Sequence, residues 1–465
     1  MMRMNTILTR FMNEEKKLMF DKICAIATPY GVGALSIIRT SGEGCISAVN
    51  SVFKGADLDD VPGYRIKYGY IVDGDTVIDE VLVSVFRGRK SFTAEDSVEI
   101  SCHGGIFSTN KILETLLKNG FRMARRGEFS ERAYLNKRID LTEAEAIMDI
   151  ISADNMTSLK ASTNSLRHST KNLVNSFRNK LLNVIASIEV NIDYPEYEDA
   201  EEITDTVLIP RLEELIIDME NILKKSRISK IAVHGITTAI VGKPNVGKSS
   251  ILNMLLDEEK AIVSNYEGTT RDTIEASLSL GNITLHLVDT AGIRESDDYV
   301  ENIGIKKSHD MISKAELVLL ILDGSRALSS LDRELMELTK DKKRIIIVNK
   351  EDLGKKFVLD EDFITISAKE KSGLSSLEDK LIQVTKINEF NVDALDYFSN
   401  TRHIALLENA KNSLSSALNA AKDKEMIDMI EIDIKEAFER LGEITGETGT
   451  DVLINQLFSN FCLGK

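Results

Sequence analysis

Four short motifs in a fixed order constrain this 465-residue chain more than any other feature. Residues 242–249 read Gly-Lys-Pro-Asn-Val-Gly-Lys-Ser, the pattern of a phosphate-binding loop. Asp289-Thr290-Ala291-Gly292, Asn349-Lys350-Glu351-Asp352 and Ser367-Ala368-Lys369 follow it along the chain. Because the whole set is present in this order, the sequence predicts a doubly wound G domain that binds a guanine nucleotide and transfers phosphoryl groups to water.

The residue types in these motifs fit the parts of a nucleoside triphosphate. Gly242 and Gly247 let the backbone turn tightly, so that amide N–H groups of the loop and of the following helix face the phosphates. Lys248 is expected to contact the terminal phosphates, and the Ser249 hydroxyl to bind Mg²⁺. Asp352 can accept hydrogen bonds from the ring N–H and the amino group of guanine, which favours GTP over ATP.

The remaining motif residues are predicted to surround the same ligand. Asp289 would hold the metal through water, and the Gly292 amide would sense the γ-phosphate. Asn349 and Lys350 would support the base, with Ala368 beside the guanine carbonyl oxygen. The GTP-binding residues predicted from these motifs are Asn245, Val246, Gly247, Lys248, Ser249, Ser250, Asp289, Thr290, Ala291, Gly292, Asn349, Lys350, Asp352, Ser367, Ala368 and Lys369.

One position departs from the Ras-type pattern. Where a Ras-like protein has a glutamine that orients the attacking water, this chain has Ile293. Hydrolysis therefore needs another polar group, for which the adjacent Arg294 and Glu295 and the later Glu301 are candidates, and another source of positive charge. The Asn245 side chain could help to hold a monovalent cation beside the phosphates, or it could be an ordinary turn residue; the sequence leaves both interpretations open.

Composition limits the class of protein. The chain is 43% hydrophobic and 28% charged, which is typical of a globular protein of two to four domains. A net charge of −16 disfavours a protein whose main task is to grip nucleic acid. No apolar run reaches the length of a membrane helix. Cys24, Cys45, Cys102 and Cys462 show no C-x-x-C spacing, which argues against a zinc site or a disulfide framework and favours a cytoplasmic protein.

The N-terminal part is predicted to be an α+β domain spanning residues 21–140. Residues 1–20 lack a small-residue cleavage site and are interpreted as an extension rather than a signal peptide. The strand candidates, several of which end at glycine, are Ile23–Ala27, Ala34–Arg39, Tyr64–Val72, Val77–Phe86 and Ser97–Cys102, and the helix candidate is Phe107–Lys118.

The rest of the chain is predicted to be a G domain inserted into a helical domain. Residues 141–194 and 400–441 contain no Gly or Pro, and Thr142 with Glu145 suggests a capping box. Between them, buried parallel strands are predicted at Ile231–Val241, Ile283–Asp289, Leu317–Asp323, Arg344–Asn349 and Phe363–Ser367. The predicted fold class is thus α/β plus α+β, with the G domain at 231–388 and a split helical domain at 141–230 and 389–465.

Several further strings accompany the phosphate loop with Asn245 and the absent glutamine. They are Ala27-Thr-Pro29, Ile38-Arg39, Ser91-Phe-Thr93, His103-Gly-Gly105, Gly127-Glu-Phe-Ser-Glu-Arg-Ala133, Gly268-Thr-Thr-Arg-Asp272 and Phe461-Cys-Leu-Gly-Lys465. Together these features resemble the MnmE (TrmE) family of tRNA-modification GTPases. The resemblance extends from about residue 21 to the last residue, and its C-terminal Cys-x-Gly-Lys is the most discriminating part.

The resemblance implies an activity and partners. It implies a homodimeric, K⁺-activated GTPase whose G domains pair when GTP and K⁺ are bound. It also implies an N-terminal domain that binds 5-formyl-tetrahydrofolate. The family acts with MnmG (GidA), an FAD- and NADH-dependent partner, to install an aminomethyl-type group on carbon 5 of the wobble uridine of certain tRNAs. No membrane partner is expected, because the sequence has no apolar run long enough to span one.

The resemblance also implies roles for individual residues. K⁺ would contact Asn245, Ser264, Tyr266 and Thr269; Mg²⁺ would contact Ser249 and Thr270; Glu301 would position the water. The nucleotide site would extend through Ser264, Asn265, Tyr266, Glu267, Gly268, Thr269 and Thr270. Folate would meet Arg39, Glu99, Arg138 and Lys465, although the family usually has Lys where this chain has Arg138. Cys462 would be a nucleophile or one-carbon relay, or else an inert thiol.

Two other functions fit parts of the sequence. A ribosome-assembly GTPase of the Era or Der type shares the Asn-bearing loop and also lacks the glutamine, but it should carry a basic RNA-binding domain after the G domain. Here that region is acidic and helical. A G domain tied to a membrane transporter would need an apolar span. The sequence therefore favours the tRNA-modification GTPase.

Overall fold

The computed structural model describes residues 21–153, 155–193, 204–256, 274–280, 283–288, 309–448 and 451–464. They form two compact units. The first contains the residues up to Met148 together with those from Gly442 onward, and the second contains Asp149–Leu441. The sequence interpretation assigned 389–465 to a split helical domain on composition, whereas packing groups the residues from Gly442 onward with the first unit.

A seven-stranded sheet forms the centre of the first unit. Its spatial order is β3-β4-β5-β6-β2-β1-β7, antiparallel except for the parallel pair β1 and β7. The strands are β1 (Ile23–Ile26), β2 (Leu35–Ser41), β3 (Phe53–Gly55), β4 (Arg65–Asp73), β5 (Thr76–Phe86), β6 (Ser97–His103) and β7 (Arg122–Met123). The helices of this unit before residue 141 are α1 (Cys45–Asn50), α2 (Ile106–Lys118) and α3 (Glu128–Leu135). The predicted α+β class of this region is confirmed.

The alternation of side chains along the strands places the core of this unit on one face of the sheet. Val81, Val83 and Val85 of β5 are buried, whereas the residues between them are at least partly exposed. Ile112 and Leu116 of α2 pack into the same cluster as these valines. Because successive strand side chains point to opposite faces, one face is covered by helices and the other remains available for polar groups.

The C-terminal segment completes the first unit. Its last helix, α13 (Asp451–Ser459), brings Phe458 into a cluster with Phe461, Ala133 and Leu141. The hydroxyl of Tyr134 donates a hydrogen bond to the carbonyl oxygen of Gly446 at 2.7 Å. Burial of these aromatic rings fixes the last residues of the chain on α3 and its surroundings.

Long helices make up the first and last parts of the second unit. They are α4 (Leu141–Ser152), which begins in the first unit, α5 (Met156–Leu166), α6 (Ser169–Asp193), α7 (Ile209–His234), α11 (Thr401–Lys422) and α12 (Ile427–Thr445), which ends in the first unit. The apolar stripe of α7 is buried at Leu212, Leu215, Met219 and Leu223. Pro210 lies in the first turn of α7, where its missing N–H costs nothing.

The capping box predicted at Thr142 and Glu145 is wrong by two residues. The Asp140 side chain accepts from the Glu143 backbone N–H at 3.0 Å, and the Glu143 side chain accepts from the Asp140 N–H at 2.9 Å. Thr142 instead donates its hydroxyl proton to Asp140 at 2.6 Å. An aspartate directly before the helix competes better for the cap than a threonine inside it.

A six-stranded sheet forms the G domain. Its order is β13-β12-β11-β8-β10-β9, parallel except for the antiparallel pair β9 and β10. The strands are β8 (Ile236–Val241), β9 (Ile274–Leu280), β10 (Ile283–Val288), β11 (Leu317–Asp323), β12 (Lys343–Asn349) and β13 (Phe363–Ile366), with helices α8 (Lys248–Leu256), α9 (Ser330–Leu338) and α10 (Leu374–Thr385). All seven residues of β11 are buried, as a central strand covered on both faces requires.

The sheet differs from the expectation in two places. The predicted strand Ile231–Val241 starts only at Ile236, because α7 continues to His234 and ends at Gly235, whose φ is 73°. The antiparallel edge strand β9 was not predicted, because its sequence, Ile-Glu-Ala-Ser-Leu-Ser-Leu, alternates apolar and polar residues and does not form the continuous apolar run of a strand buried on both faces. Among the described residues, no helix combines the length and the apolar character that crossing a membrane requires.

Candidate functional site

The phosphate loop joins β8 to α8 in a conformation that depends on its glycines. Asn245 has a φ of 63° and Gly247 a φ of 97°, both left-handed. A Cβ at Gly242 would lie 2.5 Å from the carbonyl oxygen of Ile321, and one at Gly247 would overlap the Asn349 side-chain amide. The loop is therefore pressed against β11 and the end of β12, which leaves no room for side chains on that side.

Lys248 folds back over the loop that precedes it. Its ammonium donates to the carbonyl oxygens of Gly242 at 2.8 Å and Lys243 at 3.0 Å. Burial lowers the pKa of Lys248 below its ordinary value. The contacts with the loop carbonyls hold the charge within the curve of the loop, at the N-terminus of α8, where the terminal phosphates of a nucleotide would be attracted.

Asn349 connects three of the four motifs. This buried side chain donates through Nδ2 to the carbonyl oxygen of Val246 at 2.8 Å. Its Oδ1 accepts from the backbone N–H of Ala368 at 3.2 Å. One amide thus aligns the phosphate loop with the two segments predicted to recognise the base, so that a phosphate site and a base site share a fixed geometry.

Asp352 lies at the predicted base site. Its Oδ1 accepts a hydrogen bond from the Ser367 hydroxyl at 2.8 Å, and that hydroxyl accepts from the backbone N–H of Glu370 at 3.3 Å. Asp352 is exposed at the carboxyl edge of the sheet, where ligands of open α/β sheets bind. A carboxylate oriented in this way fits the two donors on one edge of guanine.

The structure tests only part of the predicted nucleotide site. Asn245–Ser250, Asn349, Lys350, Asp352, Ser367 and Ala368 lie together at the ends of β8, β12 and β13, and Lys369 follows them as an exposed residue. Other predicted residues lie outside the described part of the chain: Ser264, Asn265, Tyr266, Glu267, Gly268, Thr269, Thr270, Asp289, Thr290, Ala291, Gly292 and Glu301.

A second polar site lies on the sheet of the first unit. Arg39 of β2 is paired directly with Glu99 of β6, and its Nε donates to the Glu99 carboxylate at 2.9 Å. The guanidinium carbon lies 5.6 Å from the ring centre of Phe92 and 5.7 Å from that of Phe129. Another donor of Arg39, Nη1, reaches the carbonyl oxygen of Gly464 at 3.3 Å. The arrangement pairs a cation with an anion and places the cation near two aromatic rings.

The C-terminal tail is fixed through its backbone on both sides of Cys462. The Gly127 N–H donates to the Cys462 carbonyl oxygen at 3.3 Å. Gly464 has a φ of 86°, and a Cβ there would lie 2.6 Å from the carbonyl oxygen of Ile26. The Cys462 thiol is exposed, whereas burial raises the pKa of Cys24 and Cys45 to about 12. Cys462 is thus the thiol that this fold presents to solvent.

The structure also describes Arg138, predicted to meet folate, and His103, which belongs to one of the strings that carry the family resemblance. Arg138 is exposed in the turn after α3, where its backbone N–H donates to the Ala133 carbonyl oxygen at 2.8 Å. The His103 Nδ1 lies 2.7 Å from the Asp79 carboxylate, whose contact with the ring raises the pKa of His103. Lys465 lies outside the described residues.

The Gly127–Ala133 motif has a structural explanation. Glu128 is buried and pairs with Arg122 at 2.6 Å and Arg132 at 3.1 Å, while Arg132 also pairs with Asp21 at 2.7 Å. Burial alone would raise the pKa of Glu128, but the two arginines and the Arg125 N–H outweigh it and lower the pKa to about 2. The motif therefore anchors α3, which in turn carries Phe129 beneath Arg39.

Sequence reasoning missed several residues that shape these sites. Asp323 and Asp332 contact the phosphate loop or its neighbours through lysines, and Gly464 contacts Arg39. Asp323 ends an apolar run at the carboxyl edge of a predicted parallel sheet, a position that could have drawn attention to it. The Ser329-x-x-Asp332 spacing is that of a capping box and could have marked Asp332 as a helix-start residue, whereas no signal in the sequence pointed to its contact with Lys243 or to the contact of Gly464 with Arg39.

Comparison with known families agrees with this geometry. A family model described as the MnmE helical domain matches residues 141–462. A second, described as the GTP-binding protein TrmE N-terminus, matches residues 22–138. The chain belongs to the MnmE family. The resemblance identified in the sequence is thereby confirmed.

Relatives of similar length support this membership of the MnmE family. The tRNA modification GTPase MnmE of Acholeplasma laidlawii is 48% identical over 449 residues, which cover 96% of this chain and 100% of that protein. The tRNA modification GTPase MnmE of Streptococcus thermophilus is 46% identical over 450 residues, covering 96% and 99%. Among solved structures, the G domain of the T. maritima FeoB iron transporter covers 32% of this chain and 99% of that domain, with 25% identity and a TM-score of 0.25, too low to support an argument.

The activity of this protein follows from its membership of the MnmE family. The chain is a GTP hydrolase, and its site binds GTP with Mg²⁺. Ser249, predicted to bind Mg²⁺, is exposed in the first turn of α8, directly after Lys248.

Proposed function

We propose that this GTPase is activated by K⁺ and drives the modification of tRNA. With an FAD- and NADH-dependent partner of the MnmG type, it would install an aminomethyl-type group, such as carboxymethylaminomethyl, on carbon 5 of the wobble uridine at position 34 of certain tRNAs. The observation that supports the GTPase half is the Asn349 amide, which joins the phosphate and base segments. The tRNA half rests on full-length relatives that are tRNA modification GTPases.

In the nucleotide site, this chain's residues bind and orient the substrate. The loop from Gly242 to Lys248 cradles the phosphates with backbone N–H groups, and Lys248 neutralises their charge. Asp352, which accepts a hydrogen bond from Ser367, selects guanine by accepting hydrogen bonds from the ring N–H and the amino group of the base. Because the Ras-type glutamine is replaced by Ile293, the proposed water-positioning residue is Glu301, which lies outside the described residues.

The geometry of Asn245 supports a cation site. Asn245 is exposed and left-handed at the outer edge of the phosphate loop, and its carbonyl oxygen is held by Lys350 at 3.0 Å. Its side-chain amide oxygen is therefore presented from a fixed backbone. With Ser264, Tyr266 and Thr269, this residue would hold K⁺. A bound K⁺ supplies positive charge beside the phosphates, where other GTPases use an arginine.

GTP binding and hydrolysis are proposed to control the pairing of two G domains. The protein would be a homodimer whose N-terminal domains remain associated, while its G domains meet when GTP and K⁺ are bound. Closing two sites against each other would exclude water from the phosphates and strengthen every charge interaction there. Reopening after hydrolysis would change the conformation of the complex that acts on tRNA in the cytoplasm.

The second site fits a folate. Arg39 and Glu99 offer a paired cation and anion, and the rings of Phe92 and Phe129 lie beside the Arg39 guanidinium; this combination suits a flat heterocycle that both donates and accepts hydrogen bonds. Arg138 and Lys465 would add positive charge for folate carboxylates. A bound 5-formyl-tetrahydrofolate supplies a one-carbon unit. Cys462, presented by the tail that contacts Arg39, is proposed to act as nucleophile or relay.

Analysis of tRNA nucleosides tests this function. Cells that lack the chain should lose 5-substituted wobble uridines when their tRNA is digested and examined by mass spectrometry. The wild-type chain should restore them, and Lys248→Ala should not, because the phosphate site is lost. Glu316→Gln, which removes one partner of the 2.8 Å ion pair with Lys230 at the opposite end of β11, is the matched control and should restore them. An unchanged nucleoside profile in the deleted cells would contradict the proposal.

A further inference from the structure

Two buried carboxylates lie on the connection between β11 and α9, beside the phosphate loop. Asp323 is the last residue of β11, and Asp332 lies in the first turn of α9. Both are almost fully buried, at 5% and 1% exposure. Burying a charge is costly unless the charge is paired, so each of these carboxylates needs a partner of opposite charge.

Asp323 reaches the phosphate loop through one lysine. Its Oδ2 pairs with the Lys350 ammonium at 2.7 Å, and the same ammonium donates to the Asn245 carbonyl oxygen at 3.0 Å. The Ser325 N–H and hydroxyl donate to Oδ1 at 2.9 and 2.6 Å. Burial would raise the pKa of Asp323, but these donors outweigh it and hold the pKa below its ordinary value.

Asp332 reaches the loop directly. Its Oδ2 pairs with the ammonium of Lys243, the second residue of the loop, at 2.7 Å. The same oxygen accepts from the Ser329 N–H at 2.9 Å and the Ser329 hydroxyl at 2.7 Å, which closes a capping box at the start of α9. Asp332 is thus fixed by its own helix before it contacts Lys243.

We propose that Asp323 and Asp332 are positioning residues that preform the phosphate loop for nucleotide. Asp332 holds the loop near its start through Lys243, and Asp323 holds the left-handed Asn245 through Lys350. The inference rests on the guanine-nucleotide site and not on the proposed action on tRNA. A loop held at two points binds phosphate without first losing conformational entropy, so its affinity for GTP and GDP exceeds that of a free loop.

The choice of these two residues follows from what their partners do. Lys243 and Lys350 have long side chains, which sample many rotamers unless a partner fixes them. Each lysine is held in one position by an ion pair with a carboxylate that is itself buried in β11 or α9. Removing only the charge should therefore release the loop while leaving the sheet and α9 in place.

Nucleotide titration of isosteric variants of the full-length protein tests the proposal. Asp323→Asn and Asp332→Asn should each weaken GDP and GTP binding about 10-fold by calorimetry, and should raise the KM for GTP with little change in kcat. The matched control is Glu316→Gln, which breaks the Lys230 ion pair at the other end of β11 and should bind GDP like the wild type. Wild-type GDP affinity in both aspartate variants would overturn the proposal.

A double-mutant cycle separates positioning from general stability. Lys243→Met should weaken GDP binding as much as Asp332→Asn does. The double variant should bind GDP no more weakly than either single variant, because all three lack the same Lys243–Asp332 ion pair. Additive losses in the cycle would overturn the proposal for Asp332. Melting temperatures are measured on the same samples. If the loss of GDP affinity is proportional to the fall in melting temperature across these variants and Glu316→Gln, the aspartates stabilise the fold and do not position the loop. These assays need no tRNA, so their outcome is independent of the proposed function.

Discussion

The Arg39 side chain donates a hydrogen bond to the carbonyl oxygen of Gly464, 425 residues later in the chain. The same guanidinium pairs with Glu99. A residue of the second strand thereby orders the last residues of the protein, and it does so through backbone atoms. The site on the N-terminal sheet and the position of the Cys462 tail are consequently coupled through one side chain.

Arg39→Lys should loosen the tail while keeping the positive charge. A lysine cannot reach Glu99 and Gly464 in the fixed fork of a guanidinium, so hydrogen exchange at the amides of 462–464 should rise about 10-fold. Hydrogen-exchange mass spectrometry of the C-terminal peptide measures this. Arg87→Lys is the control, because Arg87 holds the carbonyls of Leu58 and Val61 instead. Equal exchange in wild type and Arg39→Lys would contradict the coupling.

Gly127→Ala should destabilise the first unit more than Gly44→Ala. Both glycines are left-handed, with φ of 69° and 71°. A Cβ at Gly127 would overlap the carbonyl oxygen of Phe458, whereas one at Gly44 would meet nothing within 4 Å. We expect a cost of about 1 kcal/mol at Gly44 and at least about 3 kcal/mol at Gly127, measured by denaturant unfolding. Equal costs would show that the tail is not packed on Gly127.

Asp352→Asn should change the preferred base. The NH₂ group of an asparagine would face the ring N–H or the amino group of guanine, donor against donor, and one hydrogen bond would be lost. GTP affinity should therefore fall about 100-fold. Xanthosine triphosphate, which carries a carbonyl in place of the guanine amino group, should bind better than GTP. Competition against a fluorescent nucleotide measures both affinities, with the exposed Asp360→Asn as control. Retained preference for GTP would remove Asp352 from base recognition.

Asn245→Ala should lose the stimulation of GTP turnover by K⁺ relative to Na⁺ while keeping nucleotide binding. Because Asn245 is left-handed, alanine also adds strain of about 1 kcal/mol. Asn245→Gly removes the side-chain oxygen without that strain and separates the two effects. Turnover in matched KCl and NaCl buffers provides the measurement. If the glycine variant keeps its response to K⁺, the side chain is not a cation ligand.

Glu128 should make the first unit sensitive to acid. Its pKa of about 2 lies below the ordinary 4.5, so its stabilising effect is complete above pH 4.5 and is lost as the pH falls toward 2. The difference corresponds to about 3 kcal/mol. Glu128→Gln should lose this stability at pH 7 and show a flatter acid dependence in urea unfolding. Glu131→Gln is the control, because burial raises the pKa of Glu131. An unchanged acid dependence in Glu128→Gln would contradict the assigned ion pairs.

The guanine-nucleotide site shows which structural features sequence motifs can predict. Asn349, Asp352 and Ser367 were predicted to share a site, and the described part of the structure brings them together at the edge of one sheet. The reason is local: Asn349 ends β12, Ser367 directly follows β13, and parallel strands place their carboxyl ends side by side. Helix boundaries were less predictable. The end of α7 depends on Gly235, and the cap of α4 depends on which of two neighbouring side chains reaches the first turn.

The fold classes, the guanine-nucleotide motifs and the family could be read from the amino-acid sequence. These depend on periodicity and on short strings whose spacing is covalently fixed. Folding was needed to reveal that Asp323 and Asp332 contact the phosphate loop through Lys350 and Lys243, and that Arg39 contacts Gly464. Such contacts join residues distant in sequence, and their free energy comes from burial and from pairing of charges that no local pattern specifies.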